Sequence, residues 1–221
     1  MMIKSKLKND ALDELIADLA MAPEAGIQLA DPNLVAFYKD YDERVLWIDK
    51  DINDSLFAEI RAIIQWNRED DIEEIPIEKR KKIVLLIHSY GGSLDAAFSL
   101  IDVMNAVNTP VVTVNMQCAL SAGALILING SKGLRYCLPL SQALIHSGSG
   151  SQGGTYEQVV AQTDSYKRVI KMMHDNILTH TKIDQKTLNK WKSKEIYLYA
   201  EDQLEYGIVD KILTNFSELL N

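Results

Sequence analysis

The chain has 221 residues, 47% of them hydrophobic and 24% charged, with a formal net charge of −8. That is enough for one globular domain with a buried core. The acidic balance argues against a nucleic-acid partner, because the one basic run, EKRKK at 78–82, sits beside the acidic run 69–74 and reads as solvated loop.

No apolar run approaches the roughly 18 residues of a membrane span. Near the start, Asp10, Asp13, Glu14 and Asp18 interrupt what would be the apolar core of a secretory leader. Cys118 and Cys137 lack metal-ligand spacing and read as buried thiols of a reducing compartment. The expectation is a cytoplasmic protein with no metal and no cofactor.

Taken in order, residues 10–21 place Leu12, Leu15, Ile16 and Leu19 on one helical face. Residues 22–39, with Pro23 and Pro32, read as a connector. RVLWI at 44–48 is a strand, and 53–66 is a helix with Leu56, Ile60, Ile63 and Ile64 on one side. The polar stretch 67–81 reads as a surface loop. IVLLI at 83–87 is continuously apolar, as a strand covered on both faces would be. A glycine turn, Ser89-Tyr90-Gly91-Gly92-Ser93, leads into a helix over 93–108, and Pro110 opens a strand at 111–114. The small-residue run 121–128 is helical. Short strands at 134–138 and 143–146 flank Pro139, and a glycine-serine loop fills 148–154. A long helix spans 156–179, short helices 184–191 and 201–206, and a last strand 208–212. This alternation predicts an α/β fold of repeated βαβ units with parallel strands.

Three features carry chemistry. Ser121 stands where a strand feeds a helix, in Ala119-Leu120-Ser121-Ala122-Gly123, a nucleophile-elbow pattern without its first glycine. Unpaired N–H groups at a helix start suit an oxyanion. The plainer reading is a serine within a packing helix. Gly91-Gly92 lets backbone N–H groups approach a ligand, or is an ordinary strand–helix turn capped by Ser93. His146 ends a strand, where α/β folds place their sites, or is a packed histidine. His88, beside the glycine turn, is its competitor; His174 and His180 look solvated.

Together these segments resemble the proteolytic subunit of the Clp protease, a serine peptidase of the crotonase-like superfamily. The resemblance runs from near Glu43 to Ile212. It rests on Ser89-Tyr90-Gly91-Gly92-Ser93, Leu120-Ser121-Ala122-Gly123-Ala124, Arg135-Tyr136-Cys137-Leu138-Pro139, Leu144-Ile145-His146 and Glu205-Tyr206-Gly207-Ile208-Val209-Asp210.

The resemblance implies a crotonase-like fold with a protruding handle, at about 148–182, within a peptidase domain 39–221 preceded by an amphipathic helix and linker at 1–38. It implies Ser121 as nucleophile, His146 as general base, the N–H groups of Gly92 and Ala122 as oxyanion donors, and Ser93 and Leu94 as the edge along which substrate lies as an added strand. It further implies peptide or unfolded-protein substrates and stacked heptameric rings. The long helix would be the handle; a plain amphipathic core helix is the alternative.

The chain departs from the pattern at several points. Glu195 stands where the family usually has aspartate, so either Glu195 orients His146 or another carboxylate such as Asp184 does. Tyr90 replaces a proline, and loop 70–80 is longer. Val84, Leu86 and Ala106 replace aromatics of the family's docking cleft, which weakens the expected grip on a Clp-type AAA+ unfoldase. Two other readings remain: a catalytically silent ring subunit or scaffold, and a crotonase-like acyl-CoA enzyme.

Overall fold

The apolar run at 83–87 lies inside a seven-stranded sheet in the computed structural model, which describes residues 31–219. The chain divides into two units, Met1–Glu43 and Arg44–Asn221. The helix expected at 10–21 lies outside the described residues. In the first unit, α1 (Pro32–Asp42) replaces the second half of the expected connector. Asp31 caps it by accepting the N–H of Asn33 at 2.9 Å, and Pro32 takes the first helical position, where its missing N–H costs nothing.

The second unit begins with β1 (Val45–Ile48), then α2 (Phe57–Ile72), β2 (Ile83–Ser89), α3 (Leu94–Ala106) and β3 (Val111–Leu120). After α4 (Ala122–Ile128) come β4 (Arg135–Cys137), β5 (Gln142–Ile145) and α5 (Tyr156–His180). The chain ends through α6 (Gln185–Trp191), β6 (Ile196–Tyr199), α7 (Ala200–Glu205) and β7 (Lys211–Ile212). Strands run parallel in the order β1-β2-β3-β4-β7, and β5 pairs parallel with the far end of β3. The architecture is α/β with a mostly parallel sheet, as the alternation predicts. Ile83, Val84, Leu85, Leu86 and Ile87 are all buried, so both faces of β2 are covered. On one face Val84 and Leu86 pack with Val112, Val114, Tyr136, Leu213 and Leu219. Asp210 closes the far edge, taking Nε and Nη2 of Arg135 at 2.9 and 2.6 Å.

Three differences from the sequence reading have physical causes. First, α2 continues six residues into the expected loop. Asp70 is buried there and receives both Nη atoms of Arg44, at 2.8 and 2.9 Å, and the Thr109 hydroxyl at 2.7 Å. Partners distant in sequence thus hold a polar segment helical. Second, β3 runs ten residues, through Gln117 and Cys118, up to Ser121 itself. Third, 196–199, to which the sequence pattern assigns no element, forms β6 and pairs antiparallel with β5.

In α5 only Met173 and Ile177 are fully buried. The helix therefore packs by its C-terminal half while its first turns stand out from the body. A plain core helix would bury a stripe along its whole length.

Candidate active site

Ser121 sits between β3 and α4 with φ 54° and ψ −117°. A non-glycine residue in that region is strained, and surrounding structure must hold it there. The N–H of Ser121 donates to the Leu144 carbonyl at 3.0 Å, and its own carbonyl accepts from Ala124 at 3.0 Å. The first bond extends the β3–β5 ladder, whose last pair is Leu120–Leu144. It brings the elbow to the end of β5, two residues before His146.

The antiparallel ladder of β5 and β6 ends on the pair Ile145–Ile196. One step further sets His146 across from Glu195. His146 Nε2 lies 2.7 Å from Ser121 Oγ, and His146 Nδ1 lies 2.9 Å from Glu195 Oε1. The histidine side chain is 20% exposed and the glutamate 59%. Glu195 spans its extra methylene and reaches the ring. Asp184, the alternative, is used elsewhere: it caps α6, accepting the Thr187 N–H at 2.7 Å.

The competing histidines lie elsewhere. His88 is exposed at the end of β2, its ring 6.1 Å from that of Tyr90. His174 and His180, expected to be solvated, are half-buried. Burial, then the nearby Lys192 charge, holds His174 below the usual histidine range. His180 Nδ1 lies 3.0 Å from the Asn176 carbonyl.

The glycine turn packs directly on the elbow. A Cβ on Gly91 would stand 2.8 Å from both the Leu120 carbonyl oxygen and Ser121 Cβ. Gly92, at φ 145°, forms a parallel bridge with Ile52: Ile52 N–H donates to Gly91 O at 2.8 Å, and Ser93 N–H donates to Ile52 O at 2.8 Å. In that pattern the N–H of Gly92 points away from Ile52. Among the described residues no hydrogen bond takes up the N–H of Gly92, or that of Ala122 at the start of α4. The Ser89 hydroxyl, buried beneath the turn, donates to the Lys50 carbonyl at 2.6 Å and accepts the Gly91 N–H at 3.2 Å. The sequence gives no individual role to Ser89 or Ile52: Ser89 shows only as part of the Ser89–Ser93 motif, and nothing local marks Ile52.

A hydroxyl, an imidazole and a carboxylate in hydrogen-bonded series, beside unclaimed N–H donors, can activate an oxygen nucleophile and accept an oxyanion. Among the described residues no three His, Cys, Asp or Glu side chains come together to hold a metal. No helix among them is long and apolar enough to cross a membrane. Val84 and Leu86, expected at a docking cleft, are buried in the core and line no open surface; Ala106 is exposed.

The Clp protease family model matches residues 37–216. The chain belongs to the Clp protease family. It is 33% identical to ATP-dependent Clp protease proteolytic subunit 1 of Bacillus cereus (strain ATCC 10987 / NRS 248), over 174 residues that cover 77% of this chain and 85% of that protein. It is 34% identical to ATP-dependent Clp protease proteolytic subunit 2 of Thermobifida fusca (strain YX), over 138 residues that cover 62% of this chain and 68% of that protein. At such identity the chain is a divergent member of the family. The family match takes in every residue of the Ser121–His146–Glu195 series and the glycine turn.

Proposed function

We propose that the chain is a serine endopeptidase that cleaves peptides or unfolded proteins within an oligomeric chamber. Ser121 attacks the scissile carbonyl and forms an acyl-enzyme. His146 takes the serine proton and returns it to the leaving amine. Glu195 orients the imidazole and stabilises its charged form. The N–H groups of Gly92 and Ala122 receive the oxyanion, and substrate lies along Ser93 and Leu94.

One observation carries the reading: the unbroken series of 2.7 and 2.9 Å contacts from Ser121 Oγ through the ring of His146 to Glu195. The relatives are named as proteolytic subunits of an ATP-dependent protease. An assembly of identical subunits, ring-shaped as in the family, follows by that analogy. Pairing with a Clp-type unfoldase is the weakest part of the analogy, because Val84 and Leu86 offer it no surface.

The test is fluorophosphonate labelling of wild type and Ser121→Ala, read by intact mass, with the assembly state measured on the same sample. Labelling of the wild type alone supports the reading. An assembled particle without label supports a catalytically silent ring subunit instead. Binding of coenzyme A in a thermal-shift assay would favour acyl-CoA chemistry.

A further inference from the structure

Beside Gly92, the turn after β2 and the N-terminal half of α5 border an open cavity of about 460 Å³. Part of its lining is apolar: Leu94, Val169 and Tyr166. Tyr166 lies against the glycine loop, where a Cβ on Gly150 would stand 3.2 Å from two ring atoms. The rest is polar, with Ser151 and Gln152 on the loop and Asp95 in the first turn of α3. Asp95 is the one lining residue charged at neutral pH, and no lysine or arginine among the described residues shares the lining. The loop is tied down by Gln162, which exchanges hydrogen bonds with the N–H and carbonyl of Gly153, both at 3.1 Å.

We propose that this cavity receives the substrate side chain on the acyl side of the cleaved bond and selects a basic one, Lys or Arg. The inference rests on the peptidase reading above. If the Gly92 N–H holds the oxygen of the attacked carbonyl, the side chain of that same residue projects beside Gly92. A long basic side chain lays its methylenes along Leu94, Val169 and the Tyr166 ring and keeps its charged head at the polar rim. Asp95 attracts that head and repels a glutamate. The chain's net charge of −8 adds to the same preference. Because an exposed carboxylate acts through water, each charge contributes only a few-fold, and reversing the substrate charge multiplies to about tenfold.

The experiment uses the full chain and quenched peptides that differ only in Lys, Leu or Glu before the cleaved bond, with the cut mapped by mass. The Lys peptide is expected to exceed the Glu peptide by about tenfold in kcat/KM at low salt, with the gap narrowing as salt screens it. Asp95→Lys should reverse the order. Gln152→Lys, on the exposed loop, should shift the ratio the same way. Equal rates for Lys and Glu peptides, or a ratio that neither variant moves, overturn the proposal. Fluorophosphonate labelling separates the two levels. A wild type that labels at Ser121 without charge preference loses this inference alone. One that neither labels nor cleaves loses the peptidase reading and the subsite with it.

Discussion

Glu195 stands across the end of the β5–β6 ladder from His146, and its Oε1 lies 2.9 Å from Nδ1 of the ring. A ladder, not a loop alone, sets this carboxylate, so its extra methylene is absorbed without losing the contact. Its side chain is 59% exposed, however, and water shares its charge. Removing a triad acid costs about 10⁴ in kcat in a well-studied serine protease where that acid is buried. Here Glu195→Gln is expected to lower kcat by about 10²-fold with KM little changed, measured by steady-state kinetics on one peptide. Asp184→Asn should leave kcat at the wild-type value, since Asp184 caps α6.

The glycine turn gives a second prediction. A Cβ on Gly92 would stand 2.3 Å from the Ile52 carbonyl oxygen, at a φ of 145° that side chains rarely adopt. Gly92→Ala must therefore move the turn and the N–H it presents. The expected loss is about 10²- to 10³-fold in kcat, the size of a lost oxyanion donor. Circular dichroism should show the fold retained.

Ser89 acts one layer below. Its hydroxyl bridges the Lys50 carbonyl and the Gly91 N–H. Ser89→Ala leaves both without that partner in a buried place, at a cost of about 1–3 kcal/mol. The prediction is a lower urea midpoint together with a fall in kcat. Ser89→Thr, which keeps the hydroxyl, is expected to recover much of the activity.

These residues differ in how far the sequence exposes them. IVLLI at 83–87 announces a two-sided strand because every residue is apolar, and all five are buried. Ser121 and His146 are legible as a pair only through the motifs around them. Their contact is made by strand pairing between segments 25 residues apart, which no local pattern shows. β6 is not legible in the sequence because its four residues, with one exposed face, look like a continuation of the loop before them. α1 has a readable start, Asp31 followed by Pro32, but with Pro23 and Pro32 the stretch 22–39 reads as a connector, whereas Pro32 is a first-turn residue of the helix. The end of α2 was hidden for a different reason: its polar residues answer partners remote in sequence.

That remote pairing supplies the last prediction. Burial alone would raise the Asp70 pKa, but hydrogen bonds from Arg44 and Thr109 and the charges of Arg44 and Arg80 outweigh it and hold the carboxyl below its ordinary value. Asp70 is 1% exposed and the Arg44 side chain 12%. Asp70→Asn leaves a largely buried guanidinium with only the half-exposed Glu69 carboxylate, 4.0 Å away, as counter-charge, so a destabilisation of about 3 kcal/mol is expected at pH 7 by urea denaturation. The pH dependence has a definite sign. The folded-state pKa lies below the unfolded value of about 3.9, so the folded protein holds the proton less tightly than the unfolded chain. The stabilisation is therefore complete above about pH 5 and is lost as pH falls through the folded pKa. The gap between wild type and Asp70→Asn should stay constant from neutral pH down to about pH 5 and close at lower pH. A gap that persisted undiminished into strong acid would mean that the asparagine disturbs α2 sterically and that the ion pair with Arg44 contributes nothing.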